Sequence, residues 1–281
     1  ATVADFEIPK KYGLRQTIGD TLGIGGIFRA LRTIPVLEAF ARDMEALCPR
    51  ALFINYTNPM AMLSGFMQRY TAIQTVGLCH SVQVCAPGLL SSLGLEDRMP
   101  GYRWEIAGIN HMAWLLRIED AAGRDLYPEI KERARAFLAG TREFPGSHAH
   151  RDRVRLDLML RLGYYITESS EHNAEYNPWY IKARYPELID RYNIPLDEYP
   201  RRCVNQIEGW RKMRQDLVER HDLVHHRTHE YAAFIIGAME TDVPYRVHGN
   251  VLNRGLIPNL PSNACVEVPC MVDRNGINPC Q

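Results

Sequence analysis

Two short apolar runs in this chain each give way to a residue that can bind a metal. The run over 73–78 ends in Gly77-Leu78-Cys79-His80-Ser81, and a later run ends in Ala107-Gly108-Ile109-Asn110-His111. A soft thiolate and an imidazole brought together would suit a divalent transition metal. A plainer reading is also open. A lone cysteine at a strand end is commonly a small buried hydrophobe, and a lone histidine a satisfied polar residue. Spacing by itself leaves both readings standing.

Other groups could also do chemistry. Glu168, Glu171 and Glu175 could supply a general acid, or lie on an ordinary surface. Tyr164, Tyr165, Tyr176 and Tyr180 could stack on a ligand, fill a core, or act as a base if one phenol pKa is lowered. Trp179 beside them suits a sugar-binding face and a core equally. The histidines at 221, 225, 226 and 229 include i, i+4 pairs without a His-Glu-x-x-His pattern, and a solvated helix face accounts for them better. The stretch Asp20-Thr21-Leu22-Gly23-Ile24-Gly25-Gly26 reads either as a loop leaning over a cofactor or substrate, or as an ordinary loop before a helix. It is not the G-x-G-x-x-G fingerprint.

The elements that must position these groups can be read from periodicity. A strand over 51–54 is closed by the turn residues Asn55-Tyr56-Thr57-Asn58-Pro59. A helix over 60–70 and the strand over 73–78 follow. This is a βαβ unit with an expected right-handed crossover, and it brings Asn58 and Cys79 to the same edge of a parallel sheet. Ligands collect at the carboxyl ends of strands in open α/β sheets. Apolar spacing predicts a helix over 27–47, kinked at Pro35 and ended by Cys48-Pro49. Residues 1–12 read as a helix. Further on, 87–100 reads as loop-rich, 102–109 and 112–118 as strands, 127–138 as a solvent-facing helix and 144–150 as a loop. A helix from Val154 to Tyr165 runs into Glu168. After a break at 195–200, helices are expected over 204–218 and 227–239, and strands over 243–251 and 265–272.

Composition narrows the class. The 281 residues suffice for one large domain or two modest ones. Lysine plus arginine and aspartate plus glutamate both number 33, which favours neither nucleic acid nor an anionic membrane. Seven irregularly spaced cysteines argue against a disulfide scaffold and for a reducing compartment. No apolar run approaches the roughly 20 residues that span a bilayer. No signal peptide opens the chain, and a cytoplasmic enzyme is expected. The start at Ala1, in mid-pattern, and the stop at Gln281 read as those of a fragment.

Four motifs in register carry a specific resemblance. Asn55 to Met62, Gly77 to Gln83, Ala107 to Ala113, and Glu168 to His172 with Glu175-Tyr176 closely resemble glycoside hydrolase family 4, and within it the α-galactosidase (melibiase) branch. Asp20 to Gly26 and Arg29 to Pro35 are similar to that family too. The resemblance implies an α/β fold: a truncated Rossmann-like, lactate/malate-dehydrogenase-like domain over 1–108 and an α+β domain over 109–281. It implies NAD and Mn²⁺ as cofactors, and α-galactosides such as melibiose as substrates. The sugar would be oxidised at C3, deprotonated at C2, relieved of its aglycone by elimination, hydrated and reduced back, with configuration retained. By motif position Cys79 and His111 would ligate the metal, and Asn58 and Asn110 would hold sugar hydroxyls. Tyr176 would be the C2 base, with Tyr164 and Tyr165 as alternatives. His80 would be the acid, with Glu171 as the alternative, and Gly25 and Gly26 would serve the cofactor. A homo-oligomer, dimer or tetramer, is implied. Within the family a glucoside or galacturonide is the competing substrate. An acid sugar would call for an arginine, such as Arg29 or Arg32. Outside the family the competitors are a metal-free dehydrogenase and a non-enzymatic sugar-binding relic.

Overall fold

The computed structural model describes residues 2–144, 148–220 and 230–280, together with 222, 224, 226 and 228. In chain order the elements are α1 Thr2–Lys10, α2 Gly23–Leu47, β1 Phe53–Asn55, α3 Met60–Tyr70, β2 Thr75–Gly77, α4 Ser81–Ser92, β3 Arg103–Ile109, β4 Met112–Glu119 and α5 Tyr127–Leu138. Then follow α6 Arg153–Leu162, β5 Tyr165–Ile166, α7 Ser170–Tyr176, α8 Glu187–Arg191, α9 Glu198–Glu219, α10 Tyr231–Thr241, β6 Tyr245–Leu252, β7 Cys265–Asp273 and β8 Gly276–Pro279.

The described strands form one sheet in the order β1-β2-β6-β7-β3-β4-β5, with β8 on β7. The pair β1–β2 is parallel, Phe53 opposite Thr75 and Asn55 opposite Gly77. It closes the βαβ unit through α3. The other pairings are antiparallel. The fold is therefore α/β, with a Rossmann-like βαβ part continued by a mostly antiparallel α+β part. The long hairpin-like pair β6–β7 lies between β2 and β3, and so between the strand ends that lead to Cys79 and His111.

Gly77 shows why β2 is short and where it must end. A Cβ there would stand 2.4 Å from Ser64 Oγ, 2.5 Å from Met60 Sδ and 2.9 Å from Asn250 Cβ. Only glycine lets the strand press between α3 and β6. Val76, Leu78, Tyr231, Ile235, Val266, Val268 and Val272 then form one apolar cluster joining β2, β7 and α10. A second cluster packs α4, α5 and α6 on β3 and β4.

Several local expectations are corrected. Residues 87–92 are helical, not loop, because Pro87 lies inside α4. An internal proline costs about 3 kcal/mol. Burial of Leu89 and Leu90, each 0% exposed, contributes roughly 1.5–3 kcal/mol apiece and offsets it. Helix α5 is not solvent-facing all round, since Tyr127, Ile130, Ala134 and Phe137 are buried along one side. Helix α6 stops at Leu162, where Gly163 adopts φ +94°, and Tyr165 belongs to a strand. Pro200 falls in the first turn of α9, where a missing N–H costs nothing. Helix α10 starts at Tyr231, and His221, His225 and His229 lie outside the described residues, as do 145–147 of the expected 144–150 loop. The seven cysteines are all free. Among the described residues no helix is long and apolar enough to cross a membrane.

Candidate active site

Strand β2 delivers Cys79 and α4 begins two residues later, so the thiol sits at a helix N-terminus. Ser81 Oγ lies 3.1 Å from Cys79 Sγ, and the Ser81 N–H donates to the sulfur at 3.5 Å. A helix N-terminus favours negative charge. Burial nevertheless pushes the thiol up to about 12, helped by the Glu267 and Glu168 carboxylates. A thiolate here needs a cation beside it.

The turn between β3 and β4 brings His111 to the same place. Ligand atoms of Cys79, His111 and Glu168 all lie within 4.8 Å of one another. His111 Nε2 is 3.4 Å from Glu168 Oε2. Burial holds the imidazole down at about 4, hence neutral and able to offer a lone pair. Burial alone would raise the Glu168 carboxyl, but the His111 and His172 rings beside it hold it below its ordinary range. One soft sulfur, one imidazole nitrogen and one carboxylate oxygen form a donor set for a borderline divalent transition ion. A second triple, Asp20, His111 and His172, shares His111. His172 Nε2 stands 3.6 Å from Asp20 Oδ1, and its ring meets that of His111 edge-on at 5.0 Å.

These groups line a cavity of about 360 Å³ together with Ile18, Tyr56, Asn58, Met60, His80, Tyr199 and Arg202. Helix α7 brings the Tyr176 hydroxyl to 3.5 Å from His111 Nδ1. Burial, with the Glu175, Asp20 and Glu168 carboxylates, pushes its phenol well above the ordinary value. A divalent ion at Cys79 and His111 would act in the opposite sense. The alternative tyrosines are engaged elsewhere. Tyr165 is wholly buried and donates to Asp152, while Tyr164 is half exposed and meets Tyr127. His80 stacks on Tyr56 with ring centroids 5.2 Å apart, and its Nε2 lies 2.8 Å from Glu230 Oε2. The Tyr56 hydroxyl donates to the other Glu230 oxygen.

Asn58 lines the cavity with its Oδ1 buried and, among the described residues, without a partner. Asn110 is wholly buried; its Nδ2 donates to both oxygens of Glu267 at 3.2 and 3.3 Å, and its Oδ1 likewise has no partner among the described residues. Glu171 lines the adjoining cavity rather than the one holding Cys79. Glu175 is committed to the loop before α2, accepting from the N–H groups of Thr17, Ile18 and Gly19.

Gly25 and Gly26 lie in the first turn of α2. A Cβ at either would meet the chain's own backbone at 2.3 Å, the carbonyl oxygens of Gly19 and Thr21 respectively. Their smallness is used to pack the 16–22 loop. Arg32 pairs with Asp5, away from the cavity. Arg29 donates to the Asn58 carbonyl and to the Tyr199 hydroxyl. The arginine on the cavity wall is Arg202, which sequence reasoning missed along with Glu230 and Glu267; Asp20 and His172 were named within motifs but given no individual role. The i, i+4 spacing of Glu168 and His172 is a signal that could have grouped that pair.

Comparison with known proteins gives a consistent answer. Residues 1–95 match the model of family 4 glycosyl hydrolases, and residues 106–281 match that family's C-terminal domain. An α-galactosidase of Bacillus subtilis (strain 168) is 61% identical over 280 residues, covering 100% of this chain and 62% of its own length. The chain thus spans under two thirds of that relative. A solved Bacillus subtilis structure, described as an inferred glucosidase, superposes with a TM-score of 0.84 at 26% identity over 98% of this chain and 65% of its own. The 6-phospho-β-glucosidase of Thermotoga maritima, solved with manganese, NAD⁺ and glucose-6-phosphate, superposes with a TM-score of 0.68 at 22% identity, covering 99% of this chain and 62% of its own.

Proposed function

The chain belongs to glycoside hydrolase family 4, and from that we propose that it forms the metal-holding part of an NAD- and Mn²⁺-dependent α-galactosidase. The observation that carries this reading is the convergence of Cys79, His111 and Glu168 within 4.8 Å, with the Tyr176 hydroxyl 3.5 Å from His111. The donor set fits a divalent transition ion, and the unpartnered Oδ1 of Asn58 gives a sugar hydroxyl a buried acceptor. When bound, the ion supplies Lewis acidity toward sugar oxygens, and the dinucleotide a hydride acceptor for C3.

The chain's own residues have distinct tasks. Cys79 and His111, joined by Glu168, hold the ion. Asn58 and Asn110 orient the sugar through its hydroxyls. The Tyr176 oxygen takes the proton from C2 as general base. His80, braced by Tyr56 and Glu230, delivers a proton to the leaving oxygen. Gly25 and Gly26 would serve the cofactor from the first turn of α2, where a Cβ at either would meet the carbonyl of Gly19 or Thr21 and so only glycine lets the 16–22 loop pack against it.

A neutral sugar is favoured over an acid one. Arg202 already faces Glu198 at 2.9 Å and Glu171 at 3.4 Å, so its charge is matched before any substrate carboxylate arrives. We further propose a division between residues 1–108 and 109–281, a cytoplasmic location and a homo-oligomer. Family models of which one ends at residue 95 and the other starts at 106 support a division close to this one.

The test is hydrolysis of nitrophenyl α-galactoside by the intact enzyme under reducing conditions, with and without NAD⁺, and with Mn²⁺ or chelator. Turnover that needs both, with no net NADH, is the expected result. Turnover with neither refutes the metal–hydride reading. Net NADH release points instead to a plain dehydrogenase, and preference for the galacturonide or glucoside moves the substrate.

A further inference from the structure

Strand β2 ends two residues before Cys79, and β3 ends two residues before His111. In the sheet they are separated by β6 and β7. Across that gap runs a chain of buried polar contacts. Asn250 of β6 lies opposite Gly77, and its Nδ2 donates to the Gly77 carbonyl at 3.2 Å and to Glu267 Oε1 at 3.0 Å. Glu267 of β7 lies opposite both Asn250 and Gly108, and it accepts from Asn110 Nδ2. Asn110, Asn250 and Glu267 are each 0% exposed. The flanking Val266 and Val268 are core residues.

A sheet that needed only packing would place an apolar side chain at 267. A buried carboxylate without a cation is expensive, and here its hydrogen-bond partners are two amides. In its ionised form the carboxylate can only accept. Each amide must therefore turn its Nδ2 inward, which sets its orientation. We propose that Glu267 is a positioning residue of the active site: through Asn250 and Asn110 it sets the separation of the strand ends that carry Cys79 and His111, and holds the Asn110 Oδ1 free. The inference rests on the reading of Cys79 and His111 as metal ligands. Groups that support a metal's ligands from behind change its affinity roughly 10–100-fold.

The experiment measures Mn²⁺ affinity of the intact enzyme by the paramagnetic resonance of free Mn²⁺, alongside thermal unfolding. Parent, Cys79→Ala, Glu267→Gln, Glu267→Asp and Val268→Ala are compared. Both asparagines share Glu267 Oε1, and Asn110 also meets Oε2; glutamine keeps one acceptor for the pair but turns an NH2 against the Asn110 donor in place of Oε2, weakening its hold on Asn110. Glu267→Gln should lose at least about tenfold in Mn²⁺ affinity. Val268→Ala, a cavity in the same strand, should lower the melting temperature and keep the affinity. If Cys79→Ala still binds Mn²⁺ like the parent, the metal-centre reading fails, whatever Glu267 does. If Cys79→Ala loses the ion but the Glu267 variants bind it like the parent, the positioning role is overturned. It is overturned as well if Val268→Ala loses as much affinity as Glu267→Gln. Should Glu267→Gln not fold, Glu267→Asp, which keeps the charge but shortens the reach, is read in the same way.

Discussion

Removing the Glu175 carboxylate should release the loop that walls the site. Its Oε2 accepts from Thr17 N at 2.7 Å and Ile18 N at 3.2 Å, and its Oε1 from Gly19 N at 2.8 Å. Thr17 is 0% exposed and Ile18 2%, so water is absent from these donors. In Glu175→Ala three buried N–H groups lose their partner, at about 1–3 kcal/mol each. The three are neighbours, and a freed loop lets water in, so the sum falls short of additive. About 3–5 kcal/mol is expected, a large share of a typical 5–15. Unfolding in urea measures it, and the melting temperature should fall by roughly 8–15 °C for a chain of this size. Glu175→Gln keeps an acceptor but loses the charge, and should cost about a third as much. The same loop carries Asp20 and Ile18 into the cavity wall, so KM for the sugar should rise in both variants. A Glu175→Ala protein that unfolds within about 2 °C of the parent yet loses kcat would refute this account, and would return Glu175 to the role of catalytic acid.

Gly77→Ala places a methyl against Ser64, Met60 and Asn250; it should cost about 1–3 kcal/mol, read by the same urea titration. Burial pushes the Glu267 carboxyl from its ordinary 4.5 up to about 7. The folded state then holds this proton more tightly than the unfolded one. The resulting stability is complete below pH 4.5 and lost as pH rises through 7, by about 3 kcal/mol. Measured in chelator, the unfolding free energy of the parent minus that of Glu267→Gln should fall by that amount across the window; a flat difference refutes it. Mn²⁺ at a hundred times its Kd should stabilise the intact parent by about 2.7 kcal/mol, seen as a raised melting temperature. Cys79→Ala should show no such rise.

Local signals were enough to single out Cys79 and His111, the proposed metal ligands, and the elements that deliver them. The 60–70 helix and the strands before Cys79 and His111 are visible because their periodicity and turn residues are properties of a few consecutive side chains. The family motifs are short for the same reason. The acid, base and ligand candidates are thus named by sequence, but their grouping is not. Motif position favours Tyr176 over Tyr164 and Tyr165, but what each hydroxyl meets is decided in space. Glu175 is committed to the 16–22 loop by contacts with residues over 150 positions away, while Glu171 lines the adjoining cavity and reaches Arg202, some 30 positions on. Pro87 lies in a helix because buried leucines outweigh a local penalty. Glu267 reads as one polar residue in an apolar strand until β6 and β3 bring Asn250 and Asn110 against it. A side chain's chemistry is set by its type, which sequence contains. Its protonation, orientation and partners are set by burial and by neighbours distant in the chain, and only the assembled sheet supplies those.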